Sequence, residues 1–271
     1  NYVQEIAKKA DSLFVPQNGL APGIINIIAN GLIKKFDTKT IRSARLRVGA
    51  LPQNPVGDFG YACNWSPEGL VNEYIKPSIV VEDFTKKEVR SMGRKETIFV
   101  NGVEYEAFLT SGGVGTLCEA YDGEIRNLNY KSIRYPGHLD CLRIVIDQLK
   151  LRDDQDKIVG LFRHALLPDD NDHVIIHVSV EGEVNGRQIT KEFVADYYPQ
   201  KLCGKYRTAI SWTTALSIAT NIELSANGVF GSKGFVAQEQ IPIKEFFTTK
   251  TGSYFIDFHN NKNIFEELLN E

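Results

Sequence analysis

The first forty residues predict a strand, a turn and a helix. Residues 12–15 form a short apolar strand, and residues 16–23 (Pro-Gln-Asn-Gly-Leu-Ala-Pro-Gly) form a turn. Apolar residues then recur at helical spacing, at Ile24, Ile27, Ile28, Leu32 and Phe36. Such a unit is typical of a parallel α/β sheet, but it appears only once. We therefore expect the strands that pair with residues 12–15 to come from elsewhere.

From about residue 41 the pattern changes to strands. Ala44, Leu46 and Val48 alternate with Arg45 and Arg47, which predicts one buried and one solvent-exposed face. Asn101-Gly102 and Asn185-Gly186 each separate two apolar runs, and this dipeptide favours the tight turn of a β-hairpin. The two predicted hairpins join residues 98–100 to 103–105 and residues 174–180 to 187–194.

A helix is predicted between these hairpins, over Leu139–Leu149. Hairpins interrupted by helices indicate an α+β domain on a mostly antiparallel mixed sheet. Near residue 207 a further helix begins, capped by Ser211 and stopped by Asn227-Gly228. We expect the segments after it to dock on the rest of the chain, and the charged run 152–157 to be a solvated loop.

Composition narrows the classes of function. The 271 residues carry a net charge of -3, which does not favour nucleic acid as a partner. No apolar run approaches the ~20 residues that span a bilayer. The four cysteines have no CxxC spacing, which indicates reduced thiols in a cytoplasmic protein and no metal site. The chain starts without Met or a signal-peptide pattern, which favours a processed or truncated chain.

Three segments carry residues suited to binding or catalysis. The turn at 16–23 is either an anion site at a helix entrance or a simple strand-to-helix turn. In the segment 51–74, Trp65 is either a core residue or a wall of a substrate pocket, and Glu68 and Glu73 could accept an amine. In the segment 132–138, Arg134 presents a planar fork that suits a carboxylate, and His138 suits proton transfer.

The alternative for the third segment is a surface arginine beside a capping histidine. A further glycine-rich segment, Thr110–Thr116, lacks both the phosphate-loop ending and the dinucleotide spacing. We interpret it as a flexible loop on the substrate side. His173 and His177 share one face of a predicted strand without the other ligands of a metal site. Hydrolase motifs are absent from the sequence.

Five segments together resemble the saccharopine dehydrogenase family. They read GLAPG (19–23), VGALPQNP (48–55), GYACNWSPEGLVNEYIKP (60–77), FLTSGGVGTL (108–117) and SIRYPGH (132–138). Within this family the chain is most similar to the lysine 6-dehydrogenases, from about residue 12 to its end. The order in which the five segments occur is more specific than any one of them.

The resemblance implies a domain organisation. Family members begin with a Rossmann domain that carries a glycine-rich dinucleotide fingerprint, and this fingerprint is absent from the sequence. We expect residues 1–38 to be the last strand and helix of a truncated Rossmann domain. Residues 39–206 would form the substrate-binding and dimerisation α+β domain. Residues 207–271 would form a C-terminal helix and tail that return to the nucleotide domain.

The resemblance also implies roles for individual residues. Arg134 matches an arginine that binds a substrate carboxylate, Trp65 an aromatic side chain of the same pocket, and Gly49 a point where the backbone approaches the substrate. His138 or Tyr135 would handle protons. The other expected substrate-binding residues are Glu68, Asn72, Ser111 and Gly112, and the expected cofactor-binding residues at the cleft between domains are Gln17, Asn18 and Gly23.

Two positions depart from the saccharopine reductases, which have Asp and Cys where this chain has Ala21 and Val48. We therefore expect either L-lysine or saccharopine to be the substrate of an NAD- or NADP-dependent oxidation of a C–N bond. We expect the protein to form a homodimer. We also expect the isolated chain to be inactive. One alternative is a polyamine enzyme similar to carboxynorspermidine dehydrogenase, which needs an acidic pocket. The other is a non-catalytic dimerisation module.

Overall fold

The computed structural model describes residues 2–270 of the chain. The strands are β1 (Leu13–Phe14), β2 (Ser43–Pro52), β3 (Ser78–Glu82), β4 (Thr85–Val89), β5 (Glu96–Val100), β6 (Val103–Leu109), β7 (Asn127–Arg134), β8 (Asp172–Val184), β9 (Arg187–Tyr197), β10 (Gln200–Leu202), β11 (Lys205–Arg207) and β12 (Gly234–Phe235). The helices are α1 (Tyr2–Lys9), α2 (Ile24–Ile33), α3 (Pro67–Ile75), α4 (Leu117–Ala120), α5 (His138–Arg143), α6 (Gln155–Ala165), α7 (Ala209–Ala226), α8 (Ile243–Thr248), α9 (Ser253–Asp257) and α10 (Asn263–Leu269).

One eight-stranded sheet organises the molecule. Its strand order is β4-β3-β7-β2-β8-β9, and the β5–β6 hairpin joins it through pairing of β6 with β7. In this sheet β2 and β7 run parallel, whereas the other neighbouring strands run antiparallel. The predicted α+β class with a mostly antiparallel mixed sheet is therefore confirmed.

Both predicted hairpins form at their Asn-Gly turns. Asn101 and Gly102 have φ angles of 51° and 80°, and Asn185 and Gly186 have φ angles of 51° and 75°. These left-handed conformations match the twist of the paired strands, which is why Asn-Gly is favoured there. The strands extend beyond the predicted limits, to β5–β6 and β8–β9.

Each face of the sheet covers its own hydrophobic core. Ala44 and Leu46 face the first core, which α2, α7 and the C-terminal helices complete, whereas Leu51 and Ile175 face the second, beneath α3, α5 and α6. Because side chains alternate along a strand, β2 supplies both cores. The first core draws on all three predicted segments of the chain, and the domain division itself stays a prediction.

The predicted strand at 12–15 finds its partner at the other end of the chain. Leu13 and Phe14 pair in parallel with Gly234 and Phe235 of β12. The segment after α7 thus returns to the N-terminal unit, and α8 to α10 pack against the first core. The segments after α7 therefore pack against the rest of the chain, as expected.

Three local predictions need correction. The charged run 152–157 is not all loop, because the Asp154 side chain accepts a hydrogen bond from the Lys157 N–H and starts α6. The helix over 139–149 begins at His138, and residues 144–148 form a π-helical turn. The cap of α7 is Thr208, whose hydroxyl accepts from the N–H of Ser211, so Ser211 lies inside the helix.

The predicted exposed face of β2 also needs correction at one position. Arg45 is exposed as expected, but Arg47 is only 3% exposed. Glu96 of β5 lies over this part of the sheet and forms an ion pair with the Arg47 guanidinium. A hairpin about fifty positions away in sequence therefore buries a charge that the alternation alone places in water.

Residues 2–270 contain neither a membrane-spanning helix nor a cluster of metal-ligating side chains. No helix there is long and apolar enough to cross a membrane. Across the same residues, no cluster of three or more His, Cys, Asp or Glu side chains could hold a metal ion. His173 and His177 instead contact Asp196 and Glu192 of the neighbouring strand. The two histidines on β8 therefore have carboxylate partners.

Candidate functional site

A cleft of about 610 Å³ opens beside the carboxyl-terminal halves of β2 and β7. These parallel neighbours end at the same edge, and side chains two residues apart share a face. Val48 and Ala50 of β2 therefore line the cleft together with Ser132 and Arg134 of β7. The cleft is also lined by residues of the 16–23 turn and of α7, which are Gln17, Gly19, Leu20, Ala21, Pro22, Ile210, Ser211, Thr214, Ala215 and Ile218.

The loop before α3 closes a third side of the cleft. Tyr61, Asn64 and Trp65 line it, and the Trp65 indole N–H donates a hydrogen bond to the Tyr61 hydroxyl at 3.0 Å. Gly69, one turn into α3, packs directly beneath the Trp65 ring. The position of Trp65 is therefore fixed both by a hydrogen bond and by close packing.

Arg134 lies at the floor of the cleft, with its side chain 4% exposed. Its Nε donates to the Tyr74 hydroxyl at 3.1 Å, and its Nη1 donates to the Ile133 carbonyl at 2.8 Å. The guanidinium carbon lies 4.6 Å from the centre of the Tyr61 ring, within range of a cation–π interaction. These contacts use the Nε proton and one proton of Nη1, and they leave further N–H donors on Nη1 and Nη2.

Glu73 provides the carboxylate of the cleft. Its Oε2 lies 3.6 Å from Nη2 of Arg134, and the Ser132 hydroxyl donates to the same oxygen at 3.5 Å. Burial raises the pKa of Glu73 to about 7, because the attraction of Arg134 offsets only part of the desolvation penalty. Among the described residues that line the cleft, Glu73 and Arg134 are the charged side chains.

His138 and Tyr135 lie outside the lining of the cleft. His138 is fully buried, with Nδ1 2.7 Å from the Phe59 carbonyl oxygen and Nε2 3.1 Å from the Tyr74 hydroxyl. Burial lowers the pKa of His138 to about 3, and repulsion by Arg134 adds to the shift. The Tyr135 hydroxyl donates to the Pro52 carbonyl at 2.9 Å. The catalytic roles expected for these two residues stay predictions.

Of the three residues expected to bind the cofactor, one lines the cleft and two make contacts within the 16–23 turn. Gln17 lines the cleft. The Asn18 amide donates to the Val15 carbonyl within its own loop. Gly23 adopts a φ of 151°, and a side chain there would collide with the backbone of Gly19. Gly23 therefore allows the turn to close against the start of α2.

Gly49, Glu68, Asn72, Ser111 and Gly112 do not line the cleft. A side chain at Gly49 would meet Ile133, and Glu68 pairs with Arg163. The Ser111 N–H donates to the Glu73 carbonyl at 2.8 Å, so this loop holds the end of α3. Gly112 is exposed with a φ of 92°. The substrate-binding roles expected for these five residues stay predictions.

The structure thus brings Arg134, Trp65 and Gln17 together and adds Glu73, Tyr61 and Tyr74 to them. Glu73 was one of two glutamates considered as amine acceptors from the sequence. The helical period separates the two, because Glu73 follows the buried Leu70 by three positions whereas Glu68 is exposed. Tyr61 carried no pattern in the sequence that marks it as a contact of Arg134.

Comparisons with known proteins show the family and the fold of the chain. A family model described as the saccharopine dehydrogenase C-terminal domain matches residues 19–251. Among solved structures, the apo histidine-tagged saccharopine dehydrogenase (L-Glu forming) from Saccharomyces cerevisiae has a TM-score of 0.63 with this chain at 15% sequence identity. The match covers 84% of this chain and 70% of that one. At this identity the likeness is one of fold.

Proposed function

The chain belongs to the saccharopine dehydrogenase family through its C-terminal domain, and on that premise we propose that its cleft binds the amino-acid substrate of an NAD(P)-dependent oxidation of a C–N bond. The observation that carries the proposal is the position of Arg134. Tyr74 holds this arginine at Nε and Ile133 holds it at Nη1, and the guanidinium lines the cleft with further N–H donors. A preorganised guanidinium of this kind suits a carboxylate.

The charges of the cleft favour an amino acid over a polyamine. A polycation needs several carboxylates around it, whereas Glu73 is the carboxylate among the described lining residues and already faces Arg134. L-lysine and saccharopine each carry a carboxylate for Arg134 and an amine. Of the two, the single pair of opposite charges in the cleft favours L-lysine, since saccharopine has more carboxylates than Arg134 can pair.

An exposed apolar face on the hairpin over 174–194 would support the alternative of a dimerisation module. The apolar residues Val174, Ile176, Val178 and Val180 of this hairpin are instead buried in the first core. The opposite face of β8 carries His177 and Ser179. We keep a homodimer as a proposal, but without an exposed apolar hairpin face as its basis.

The part of the cleft lined by the 16–23 turn and α7 fits the ring end of a nicotinamide cofactor. Ala21, Ala215 and Ile218 present small and apolar side chains, and Gln17 adds an amide at the rim. We propose that these residues hold the ring, while the dinucleotide phosphates bind to a domain with the glycine fingerprint that this sequence lacks. When bound, the nicotinamide supplies the acceptor for the hydride that leaves the substrate carbon.

The residues of this chain would then position the substrate and keep water away. Arg134 fixes the carboxylate end, and Trp65 with the apolar wall shields the carbon that loses hydride. Loss of hydride from carbon and of a proton from nitrogen leaves an imine, which water subsequently opens. The residues described here contribute orientation and charge to this oxidation.

The test is NAD(P)H formation by the polypeptide in which this chain is joined to a dinucleotide-binding domain, with L-lysine and saccharopine as separate substrates. Arg134→Lys keeps the charge but loses the planar fork, and we expect the KM to rise by at least about 10-fold. Arg45→Lys, on an exposed part of β2, is the matched control. Turnover that is equal in wild type and Arg134→Lys contradicts the proposal.

A further inference from the structure

Glu73 and Arg134 form an ion pair that has no hydrogen bond of normal length. The separation of 3.6 Å between Oε2 and Nη2 exceeds a normal hydrogen bond. Among residues 2–270, the side-chain hydrogen bond to the Glu73 carboxylate is a long one from Ser132, at 3.5 Å. Both groups therefore retain hydrogen-bonding capacity directed at the cleft that they line.

The same helix fixes both sides of this arrangement. Glu73 and Tyr74 are adjacent near the end of α3, and each contacts Arg134, one through its carboxylate and the other through its hydroxyl. The Glu73 carbonyl is in turn held by the Ser111 N–H. Glu73 thus lies at a defined place beside the guanidinium, with 19% of its side chain exposed.

We propose that Glu73 and Arg134 together form a receptor for the α-amino-acid end of the substrate, in which Glu73 binds the nitrogen attached to the carbon that bears the carboxylate held by Arg134. A zwitterion carries both groups on one carbon, so both reach an adjacent carboxylate and guanidinium at once. This inference rests on the proposed function and adds the partner of the α-nitrogen.

Electrostatics favours a cation at this place. A buried carboxylate that is only partly compensated gains from a second positive charge, which replaces the solvation it has lost. The pKa of Glu73, raised to about 7 by burial, reflects this incomplete compensation. The neutral hydroxyl of Ser132, beside Glu73, can accept a hydrogen bond from an ammonium, but it cannot balance the charge.

The test pairs truncated ligands with a truncated side chain. The dissociation constants of L-lysine, of 6-aminohexanoate (which lacks the α-nitrogen) and of cadaverine (which lacks the carboxylate) are measured calorimetrically on the 271-residue chain. We expect wild type to prefer L-lysine over 6-aminohexanoate by about 10- to 100-fold. Glu73→Gln should abolish this preference but still bind 6-aminohexanoate, which also shows that the variant is folded.

Two further variants complete the design. Glu73→Asp should restore part of the preference, and Glu88→Gln, which removes an exposed glutamate on β4, should retain all of it. A preference for L-lysine that survives Glu73→Gln overturns the inference. So does an equal loss of affinity for both carboxylate ligands in that variant, because it indicates a structural role only.

A different variant, Arg134→Ala, tests the proposed function separately from the receptor inference. Arg134→Ala should remove binding of 6-aminohexanoate as well as of L-lysine, because both present a carboxylate. If carboxylate ligands bind in an Arg134-dependent way and only the α-nitrogen is ignored, the receptor inference falls and the proposed function stands. If L-lysine does not bind, or binds equally well to Arg134→Ala, both fall.

Discussion

The Nε2 atom of His138 accepts a hydrogen bond from the Tyr74 hydroxyl, over a distance of 3.1 Å. The direction follows from the other ring nitrogen, which lies 2.7 Å from the Phe59 carbonyl and must carry the proton because a carbonyl only accepts. The low pKa of His138, about 3, keeps the ring neutral near neutral pH, so Nε2 has a free lone pair. The Tyr74 oxygen is thereby left to accept from Nε of Arg134.

The hydrogen bonds that link His138, Tyr74 and Arg134 predict that Tyr74 positions the guanidinium of Arg134. Tyr74→Phe leaves Nε of Arg134 and Nε2 of His138 buried without a partner, which should cost about 1–3 kcal/mol of unfolding free energy. Because the guanidinium loses one of its fixed contacts, we expect the dissociation constant of 6-aminohexanoate to rise about 3- to 10-fold. Urea unfolding and calorimetry below the melting temperature measure the two effects.

The matched control for this prediction is Tyr206→Phe, which removes an equivalent hydroxyl from a side chain that is 79% exposed. It should change neither quantity. Lower stability in Tyr74→Phe with unchanged ligand affinity would show that Tyr74 supports the fold and does not position Arg134.

Glu73 predicts a pH dependence of stability. Its pKa is about 7 in the folded protein and 4.5 in the reference state, so the folded state holds the proton more tightly. The stability that results is fully present below pH 4.5 and is lost as the pH rises to 7. Glu73→Gln removes this loss, so its stability relative to wild type should increase by at most about 3 kcal/mol between pH 4.5 and pH 8.

Urea unfolding of wild type, Glu73→Gln and the exposed-site control Glu88→Gln at both pH values measures this difference. The quantity of interest is the change with pH, because Glu73→Gln also alters the neighbour of Arg134 at every pH. A relative stability of Glu73→Gln that is the same at pH 4.5 and pH 8 would mean that Glu73 titrates as it does in an unfolded chain.

Local chemistry made much of the fold predictable. The two Asn-Gly turns specify their hairpins within a few residues, because the left-handed conformation they need is available to Asn and Gly at little cost. The same reasoning gave the end of α7, where Gly228 has a φ of 75°. In the cleft, Arg134 and Trp65 could be selected because their residue types and motif context indicate a carboxylate-binding pocket.

Features that depend on distant segments could not be predicted in this way. The burial of Arg47 depends on Glu96, and the selection of Glu73 over Glu68 depends on which face of α3 meets β7. His138 was expected to handle protons because histidine transfers protons near neutral pH, and this role stays a prediction. Its full burial and its hydrogen bond with Tyr74 depend on packing, which the type of a side chain does not determine.

Because Gly69 packs against the Trp65 ring, a substitution at Gly69 can displace the ring while Trp65 itself is kept. A methyl group at Gly69 would lie 2.6 Å from Cζ3 of Trp65, so Gly69→Ala must displace the ring. We expect several-fold weaker binding of L-lysine, with the gain in helix propensity of about 1 kcal/mol offsetting part of the strain. The matched control is Gly160→Ala in α6, where the methyl group meets nothing within 4 Å.

Gly160→Ala should stabilise the protein by about 0.5–1 kcal/mol and leave binding unchanged. Calorimetric titration and thermal unfolding of both variants measure these effects. Equal binding by the two alanine variants would show that the position of the Trp65 ring does not matter for the ligand.

Glu96 neutralises two buried cations on the other face of the sheet. It pairs with Arg47 and with Lys131, whose Nζ lies 2.9 Å from Oε2, and the two basic side chains are 3% and 7% exposed. Glu96→Gln leaves both charges without a carboxylate, which should destabilise the protein by about 3–5 kcal/mol at pH 7. The exposed control Glu119→Gln, whose partner is Lys86, should cost less than about 1 kcal/mol.

Lys131 makes this prediction specific, because burial lowers its pKa from 10.5 to about 8. A lysine with a depressed pKa destabilises the fold below pH 8, and this effect is relieved as the pH rises from 8 to 10.5. The loss in Glu96→Gln should therefore be smaller at pH 9.5 than at pH 7, and Lys131→Met in the same chain should recover part of it at pH 7. Urea unfolding at the two pH values gives the answer. A loss that is independent of pH and unaffected by Lys131→Met would indicate that Glu96 stabilises the fold through Arg47 alone.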